Sequence, residues 1–522
     1  MSFMNAVRQT LNNEMNVSIT ENGAVGYRTT GKELLDLNFA VSSLRKMSDA
    51  EVAKRFKKAF CENQILAMKW LFYARDARQG LGERRLFRVV LADLVKSNPE
   101  MVIPVVNLIP EYGRFDDLWC LLDDTESADV VYQIVDNQLK QDWANMAEKN
   151  PISLIAKWMP SINASSAKTK EYGKKLCKAL KMTEREYRKA MSKLRAYLDV
   201  VEVKMSDKNW SAIKYEAVPS RANLIYNNAF LRNDEARRRE YLGQLEKGET
   251  KINASTLFPH DIVHKYCNGG RYLKSKDATI EALWKALPDT VKGCGNTIVV
   301  ADGSGSMTCT VDNRSRVTAL EVANALAIYF AEHSSGQFKD KYITFSERPQ
   351  FVDFSRCNTL HDKLQTAFAH NEVANTNIEA VFDLILTTAV NNRMHQEDLP
   401  ANILIISDME FDSCATSGYN SNNRSYWYGY SSTNRPNQKL FDTIAQRYAD
   451  AGYKMPRLVF WNVNSRTGTI PVKENDLGVA LVSGFSVNVA KMVMSGKTDP
   501  FECLLETLNS ERYAPVEVAL NQ

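Results

Sequence analysis

Long apolar runs are missing from this sequence of 522 residues. No stretch of about 18 consecutive apolar residues, the length that crosses a bilayer, occurs anywhere in it. Residues 1–16 also lack the apolar core that a secretory signal peptide needs. We therefore expect a protein that neither spans a membrane nor is secreted, and we predict a cytoplasmic location.

Paired cysteines are missing as well. The nine cysteines are scattered along the chain, their number is odd, and no Cys-x-x-Cys pair occurs. A disulfide framework or a cysteine-rich zinc site would need paired spacings. The expected state is that of reduced thiols in a cytosolic protein.

Two common catalytic loops are absent from the Gly/Ser-rich stretch 296–307 (NTIVVADGSGSM). It has neither the Gly-Lys-Ser/Thr ending of a P-loop nor the Gly-x-Ser-x-Gly nucleophile elbow. It does contain an apolar, β-branched run, typical of a buried parallel strand, that ends at Asp302. Because ligands in open α/β sheets bind beyond the strand C-termini, Asp302, Ser304 and Ser306 are candidate ligands. One carboxylate and two hydroxyls suit a hard divalent cation.

The pattern Asp-x-Ser-x-Ser after a first strand resembles the metal-ion-dependent adhesion site of von Willebrand factor A domains. That site also takes a Thr from a second loop and an Asp after another central strand. Thr376 (in ANTNIEAVFDLIL) and Asp408 (after NILIIS) match those positions. The resemblance implies direct ligation by Asp302 and by the hydroxyls of Ser304, Ser306 and Thr376, with Asp408 acting through water. It also implies Mg²⁺ as the ion, with Mn²⁺ or Ca²⁺ as alternatives, and a partner's carboxylate or phosphate oxygen that completes the shell.

Charge is unevenly divided along the chain. Residues 1–300 carry 47 Lys/Arg against 37 Asp/Glu, whereas residues 301–522 carry 19 against 25. Residues 151–300 alone hold 28 basic and 16 acidic side chains. Such a split indicates a basic partner-binding domain beside an acidic one.

The first part of the chain has helical periodicity. We predict an irregular arm over residues 1–35 and an α-helical domain over 36–290, in which apolar residues recur three and four positions apart. Helices joined by short turns suggest stacked helix pairs of a degenerate HEAT-like type, and the pattern does not say whether they close into a ring. We expect Arg75, Asp76 and Arg78, with Glu83, Arg84 and Arg85, to form a salt-bridge network between repeats.

Several sequence segments in this part of the chain resemble the family named domain of unknown function 2828. Members of that family combine a helical N-terminal region with a C-terminal von Willebrand A-like domain. The arrangement is similar to the Ro autoantigen (TROVE) family, RNA-binding proteins in which a ring of HEAT-like helices is closed by a von Willebrand A domain. RNA binding by this chain is expected from that architecture by analogy. The segments are ARDARQGLGERRLF (74–87), YGRFDDLW (112–119), SLIAKWMPS (153–161), YRKAMSKLRAYLDVVEVKMSDKNWSAIKYEAVPSRA (187–222) and FPHDIV (258–263).

Basic residues of the helical part are the candidate RNA contacts. Spacings of three and four place several of them on one helical face, where they could neutralise phosphates while aromatic side chains stack on bases. The alternative is a solvated lysine surface with the aromatic rings in the core. The candidates are Lys168, Lys170, Lys174, Lys175, Lys178, Lys181, Arg185, Arg188, Arg237, Arg238 and Arg239.

Residues 295–522 alternate strand and helix patterns, which predicts a mainly parallel, doubly wound, Rossmann-like sheet. An insertion at 412–438, rich in Ser, Asn and Tyr, should overhang Asp408 as an adaptable contact loop, or else be disordered. The predicted fold class is therefore α plus α/β: a HEAT-like helical domain followed by a von Willebrand A-like domain. The predicted strands are 297–301, 341–345, 350–353, 402–407, 457–462 and 478–482.

The sequence shows no general base, nucleophile or second metal beside the candidate ligands, so we expect binding and not catalysis. One hypothesis is a Ro-like, non-catalytic RNA-binding protein that holds a divalent cation. The alternative is a protein-assembly module whose metal grips an acidic residue of a partner, without nucleic acid. No membrane partner is expected.

Overall fold

The structure, a computed structural model of the chain, is helix-rich and divides into two compact units, each built from separate parts of the sequence. The sheet unit comprises Met1–Met47, Phe258–Asp277 and Pro288–Thr507. The helical unit comprises Ser48–Leu257, Ala278–Leu287 and Leu508–Gln522. The structure describes residues 4, 15–21, 25–267, 273–291, 296–346, 348–371, 377–410, 438–471, 479–489 and 499–522.

Several helices of the helical unit begin at a residue whose side chain caps the helix. Ser48 and Glu51 form a reciprocal capping box at the start of Asp49–Glu62. The Asn63 side chain accepts a hydrogen bond from the Leu66 N–H at the start of Gln64–Arg75. The α-helices of this unit are Asp49–Glu62, Gln64–Arg75, Arg84–Ser97, Pro99–Val102, Ile109–Tyr112, Thr125–Ala147, Ile155–Trp158, Ala167–Ala179, Glu184–Tyr197, Val201–Ser206, Ser220–Asn233, Glu235–Lys247, Ala278–Lys285 and Ala514–Leu520.

The C-terminal segment completes the core of the helical unit. Lys69, on the buried helix Gln64–Arg75, is only 3% exposed. Its ammonium group donates hydrogen bonds to Asn509 Oδ1 and Glu517 Oε2, both at 2.8 Å. The cost of burying this charge is offset by the two oxygen acceptors.

Buried ion pairs join the helices of this unit, as expected around Arg75 and Asp76. Asp117 is fully buried and accepts hydrogen bonds from Arg75 Nε at 2.8 Å and Arg88 Nε at 2.6 Å. Asp76 is also fully buried and accepts one from Arg512 Nε at 2.9 Å. These contacts tie segments that are far apart in sequence, so Arg75 and Asp76 do form ion pairs as expected, whereas Arg84 forms none with a described residue.

Residues 17–19 and 25–27, within the segment 1–35 that the sequence predicts to be irregular, form two strands. Strands β1 (Val17–Ile19) and β2 (Val25–Tyr27) pair antiparallel. Tyr27 and Ile470 then exchange two backbone hydrogen bonds of 2.8 Å. The sequence did not predict these strands, because each is only three residues long and the hairpin pairs with Ile470, far away in sequence.

The sheet unit is organised around a six-stranded sheet in the order β5-β4-β3-β6-β7-β8. All neighbours are parallel except β4 and β5, which form an antiparallel edge. The predicted mainly parallel sheet and the positions of its strands are confirmed. The strands are β3 (Thr297–Asp302), β4 (Lys341–Phe345), β5 (Phe351–Asp353), β6 (Asn402–Ser407), β7 (Arg457–Asn462) and β8 (Ala480–Ser483).

Helices accompany the strands of this sheet. Ala319–His333 follows β3 and buries nearly all of its residues, since most of them are apolar. Among the described residues, no helix is both long and apolar enough to cross a bilayer. The α-helices of this unit are Glu33–Phe39, Val41–Leu44, Pro259–Cys267, Ala319–His333, Leu360–Ala369, Ile378–Asn391, Gln438–Asp450 and Pro500–Leu508.

Candidate metal centre and basic helical surface

Two aspartates meet at the C-terminal edge of the sheet because two central strands end there. β3 and β6 are parallel neighbours in a register that sets Ala301 opposite Ile406. β3 ends at Asp302, and Asp408 directly follows the last residue of β6. Each aspartate is only 1% exposed. The structure therefore brings together the two carboxylates that the sequence assigns to one site.

Asp302 is held firmly by its neighbours. Its Oδ1 accepts a hydrogen bond from the Ser304 N–H at 2.9 Å, and its Oδ2 accepts one from the Ser407 hydroxyl at 2.7 Å. The hydroxyl oxygens of Ser304 and Ser306 lie 2.9 Å apart. The loop after β3 thus presents one fixed carboxylate and two adjoining hydroxyls, as the Asp-x-Ser-x-Ser pattern indicates.

Asp408 is in an unfavourable electrostatic position. Burial and the negative charge of Asp302 raise the pKa of Asp408 to about 7, against the opposing effects of the Glu410 N–H, the Ser306 hydroxyl and Arg466. Its Oδ2 atom is buried and accepts no hydrogen bond within the described residues. The nearest guanidinium nitrogen, Arg466 Nη2, lies 3.5 Å from that oxygen.

The backbone beside Asp408 is also strained. Met409 has φ 62°, a left-handed conformation that non-glycine residues seldom adopt. Its N–H donates to the Ser407 hydroxyl at 3.1 Å, and the Glu410 N–H donates to Asp408 Oδ1 at 3.2 Å. The turn is thereby fixed so that the Asp408 carboxylate stays at the edge of the sheet, and strain of this kind is common at binding sites.

The residues at this edge fit a hard divalent cation. Two buried carboxylates lie close enough to oppose each other's ionisation, and an oxygen of Asp408 lacks a hydrogen-bond donor. A cation placed among carboxylate and hydroxyl oxygens would remove the repulsion between Asp302 and Asp408. Within the described part of the chain, no group of three or more His, Cys, Asp or Glu side chains is arranged to hold a metal. The donor set at this edge depends on serine hydroxyls as well as carboxylates.

The fifth predicted ligand, Thr376, lies outside the described residues, as do residues 412–437 of the predicted insertion.

Asn371 is the last described residue before Thr376. Its Oδ1 lies 2.9 Å from the point where a Cβ on Gly303 would stand. A side chain at position 303 would therefore collide with the neighbouring segment.

Sequence reasoning missed two basic residues near the pair of aspartates, Arg466 and Lys46. Arg466, in the loop after β7, is bonded to Glu21 at 2.7 Å and lies beside Asp408. Burial lowers the pKa of Lys46, whose charge interacts with those of Arg466 and Asp408. Arg466 could have been found, because the loop after every parallel strand of the sheet reaches the same edge. Lys46 carries no comparable signal, since it precedes the sheet by some 250 residues.

Glu410 has a different role from that of the two aspartates. It is 1% exposed, and its carboxylate accepts hydrogen bonds from the backbone N–H groups of Arg466 at 2.7 Å, Thr467 at 2.9 Å and Glu21 at 2.9 Å. Because these donors already satisfy the charge, Glu410 fastens two loops together and is not a candidate ligand.

Part of the predicted RNA-binding set forms an exposed basic row. Lys170, Lys174 and Lys178 follow one another at helical spacing on Ala167–Ala179, and Lys181 comes directly after that helix. All four are exposed, and none forms an ion pair with a described residue. We call these four side chains the lysine row. Arg185 and Arg188 are likewise exposed on the next helix.

Other members of the predicted set are occupied by contacts within the protein. Lys168 and Lys175 share Asp123 as an ion-pair partner, at 2.8 and 3.1 Å. Arg237 pairs with Asp234 at 2.9 Å and donates to backbone carbonyls, while Arg239 pairs with Glu235 at 2.8 Å. These pairs reduce the charge that each side chain can offer a phosphate.

Arg238 does not lie on the surface at all, contrary to its assignment as an RNA contact. It is 0% exposed, and its guanidinium donates to the side chains of Asn223 and Asn227. Its charged carbon also lies about 5 Å from the ring centroids of Tyr215 and Phe230. The run of three arginines gave no sign of this, because one of every three or four helical positions faces the core.

The chain is similar to known families over most of its length. Residues 20–111 and 165–297 match the family described as domain of unknown function DUF2828, and residues 296–513 match domain of unknown function DUF7788. The chain is also 29% identical over 549 aligned residues to uncharacterized protein L728 of Acanthamoeba polyphaga mimivirus, covering 96% of this chain and 89% of that protein. The match over the N-terminal part thus supports the resemblance to the DUF2828 family that the sequence segments indicate.

Proposed function

We propose that this protein is a non-catalytic, RNA-binding protein whose sheet unit holds a divalent cation in a site of the von Willebrand A type. The metal assignment rests on two buried carboxylates, Asp302 and Asp408, whose negative charges repel each other. The hydroxyls of Ser304 and Ser306 lie at the same edge of the sheet. Mg²⁺ is the expected ion, because all the donors are hard oxygen atoms. When bound, the ion supplies a positive centre to which an anionic group of a partner can attach.

The side chains of the site would contribute different groups to a bound cation. Asp302 is oriented by Ser407 and would contribute negative charge, while Ser304 and Ser306 would contribute neutral oxygens. Few charged ligands leave a bound cation electrophilic, so that it can accept a carboxylate or phosphate oxygen from outside.

The lysine row supports RNA as the partner of the helical unit. Its four ammonium groups are exposed and free of ion pairs with described carboxylates, so that phosphates can neutralise them. The Ro-like combination of a helical region with a metal-binding α/β region adds support by analogy of architecture.

Calorimetry with Mn²⁺ and Mg²⁺ tests the metal assignment. Asp302→Ala should lower the affinity by orders of magnitude while the fold persists, because the variant loses a carboxylate that is already oriented toward the site. The matched control is Asp353→Ala, which removes an exposed carboxylate from the edge strand β5 of the same sheet. Unchanged Mn²⁺ affinity in Asp302→Ala would remove the assignment.

Filter binding at several salt concentrations tests the RNA assignment, with a structured RNA that bears a single-stranded tail. Changing Lys170, Lys174, Lys178 and Lys181 together to Glu should weaken binding strongly and flatten the dependence of log affinity on log salt by about one unit per lost phosphate contact. A control variant makes the same charge change at four exposed lysines scattered over the helical unit: Lys54, Lys208, Lys214 and Lys247.

If the row variant binds RNA with the parent's affinity and slope, the lysine row is only a solvated surface. The second candidate function, a metal-dependent protein-assembly module, would then be favoured. Lys46 and Arg466 beside Asp408 support that candidate, since they would attract an acidic side chain of a partner protein. The ratio of absorbance at 260 and 280 nm after purification at low and at high salt distinguishes the two: nucleic acid that leaves only at high salt favours RNA.

A further inference from the structure

The helical unit contains a concentration of arginines that neither the metal centre nor the lysine row explains. Arg84 and Arg88 lie on the helix Arg84–Ser97, and Arg114 precedes the 3₁₀ helix Phe115–Leu121. We call these three side chains the arginine cluster. Two carboxylates, Asp116 and Asp117, lie among them.

Both carboxylates are already fully engaged. Asp117 Oδ2 accepts from Arg75 Nε at 2.8 Å, and its Oδ1 accepts from Arg88 Nε at 2.6 Å. Asp116 receives a bidentate contact from Arg114, through Nε at 2.8 Å and Nη2 at 2.7 Å. Arg88 Nη2 is also 2.8 Å from Asp116. Four arginines, counting Arg75, thus surround two aspartates.

Arg75, Arg88 and Arg114 contact the two aspartates, whereas Arg84 does not. It lies one helical turn before Arg88, is exposed, and forms no ion pair or side-chain hydrogen bond with a described residue. Partial burial of its guanidinium and the positive charges of Arg114 and Arg88 lower the pKa of Arg84, while Asp116 and Asp117 act more weakly in the other direction. Like charges are therefore held close together at a surface position, an arrangement that costs free energy unless an anion is present.

An aromatic ring fixes one side of the arginine cluster. The guanidinium of Arg114 lies over the ring of Trp158, 3.9 Å from its centroid. Trp158 is partly exposed, and the Lys157 ammonium lies 5.8 Å from the same centroid. Since Arg114 is held by both Asp116 and Trp158, its remaining donor atoms are pre-oriented for a ligand.

We propose that Arg84, Arg88 and Arg114 form a binding site for a phosphate group. With Arg75 included, four arginines surround two aspartates, and this local excess of two positive charges matches a phosphate near pH 7, which carries about −1.5 to −2 charges and three acceptor oxygens. Guanidinium forks bind phosphate with paired hydrogen bonds, whereas a single carboxylate would leave one of the three arginines unmatched. This site lies on elements other than those of the lysine row, so the proposal is independent of RNA binding there.

Titration of the full-length protein with inorganic phosphate tests this site, with EDTA present so that no divalent cation contributes. Calorimetry should detect binding by the parent. Arg84→Ala should weaken it about tenfold, and Arg84→Glu should weaken it further, because a charge-assisted contact is lost and then replaced by repulsion. Arg85→Ala is the matched control: its arginine is adjacent on the same helix but paired with Asp49, so its removal should leave phosphate affinity unchanged.

The source of the phosphate is distinguished by two RNA oligonucleotides of one sequence, with a 5′-phosphate or a 5′-hydroxyl, followed by fluorescence anisotropy. Tighter binding of the phosphorylated form that disappears in Arg84→Glu identifies an RNA end as the ligand. Equal binding of both forms, with phosphate binding still sensitive to Arg84, identifies a small phosphate ligand. No phosphate binding by the parent, or equal affinity in Arg84→Ala and the parent at equal thermal stability, would overturn the proposal.

Discussion

The two units differ in whether their buried carboxylates have hydrogen-bonded arginine partners. In the helical unit, Asp76 and Asp117 are both fully buried, and each accepts hydrogen bonds from arginine at 2.6–2.9 Å. In the sheet unit, Asp302 and Asp408 are almost as deeply buried, but the nearest guanidinium nitrogen to Asp408 is 3.5 Å away. The first pair is neutralised by hydrogen-bonded arginines, whereas in the second pair the negative charge of Asp302 raises the pKa of Asp408.

The difference shows that burial of a charge does not by itself identify a site. A buried ion pair whose members satisfy each other belongs to the framework, and removing either member leaves an uncompensated charge. Two buried acids that repel each other are stable only if something else is gained, which is why perturbed acids concentrate at functional sites. The predictions below test this contrast.

The largest effect is expected when a carboxylate of the helical unit is removed. Asp117→Ala leaves the 3%-exposed Arg75 without its partner and deprives Arg88 of a contact. The helical unit should become less stable by about 3–5 kcal/mol, measured by denaturant unfolding. The control Asp49→Ala removes the exposed partner of Arg85 and should cost under about 1 kcal/mol. Equal losses in both variants would mean that the buried network contributes no more than a surface pair.

The opposite behaviour is expected for Asp302→Asn in the sheet unit. In EDTA the variant should be as stable as the parent or more so, because the repulsion of Asp408 is relieved. Added Mg²⁺ should stabilise the parent by about 2.7 kcal/mol at a concentration one hundred times the dissociation constant, and the variant hardly at all. Thermal melts with and without Mg²⁺ measure both quantities. A variant that is much less stable in EDTA would show that Asp302 is a framework residue like Asp117.

The metal-free sheet unit should also lose stability as the pH rises. The pKa of Asp408 is raised from 3.8 to about 7, so the folded protein binds a proton there that the unfolded chain releases. Its favourable contribution is therefore complete below about pH 4 and declines by up to about 1.4 kcal/mol per pH unit until pH 7.

With Mg²⁺ at a fixed concentration the trend should reverse, because the cation and the proton compete for Asp408. Affinity for Mg²⁺ should rise between pH 6 and 8, in calorimetry at each pH. Asp408→Asn removes the titrating group and should flatten the stability profile in EDTA. A profile that keeps its slope in that variant would assign the titration to another group.

The smallest effect is expected at the paired lysines of the basic surface. Lys168 and Lys175 are half to one-third exposed and share Asp123, so changing both to Ala should alter stability by under about 1 kcal/mol. The salt dependence of RNA binding should change less than for the same number of Ala substitutions in the lysine row. An equal or larger change would show that ion pairing within the protein does not remove these lysines from the RNA interface.

Local patterns were sufficient to predict most of the sheet. The runs TIVVAD, KYITF, NILIIS and RLVFWN are short, apolar and rich in β-branched or aromatic residues, and each forms a strand close to its predicted bounds. The helical region was equally clear, since its apolar spacing extends over many turns. The hairpin of β1 and β2 was missed, because its strands depend on a backbone pairing with Ile470 that no local pattern reports.

What the sequence determined by itself was the position of Asp302 and Asp408, since each stands where an apolar strand run ends and a polar loop begins. Only the tertiary structure decided that β3 and β6 are adjacent, so that the Ser407 hydroxyl bonds Asp302 and Asp302 raises the pKa of Asp408. In the same way, the sequence placed lysines and arginines on helices, but folding buried Arg238 and set Arg84 beside Arg88 and Arg114 with no ion-pair partner among the described residues. Periodicity reports which face of an element is apolar, whereas the partner of a charge is a contact between distant segments, and that depends on how the elements pack.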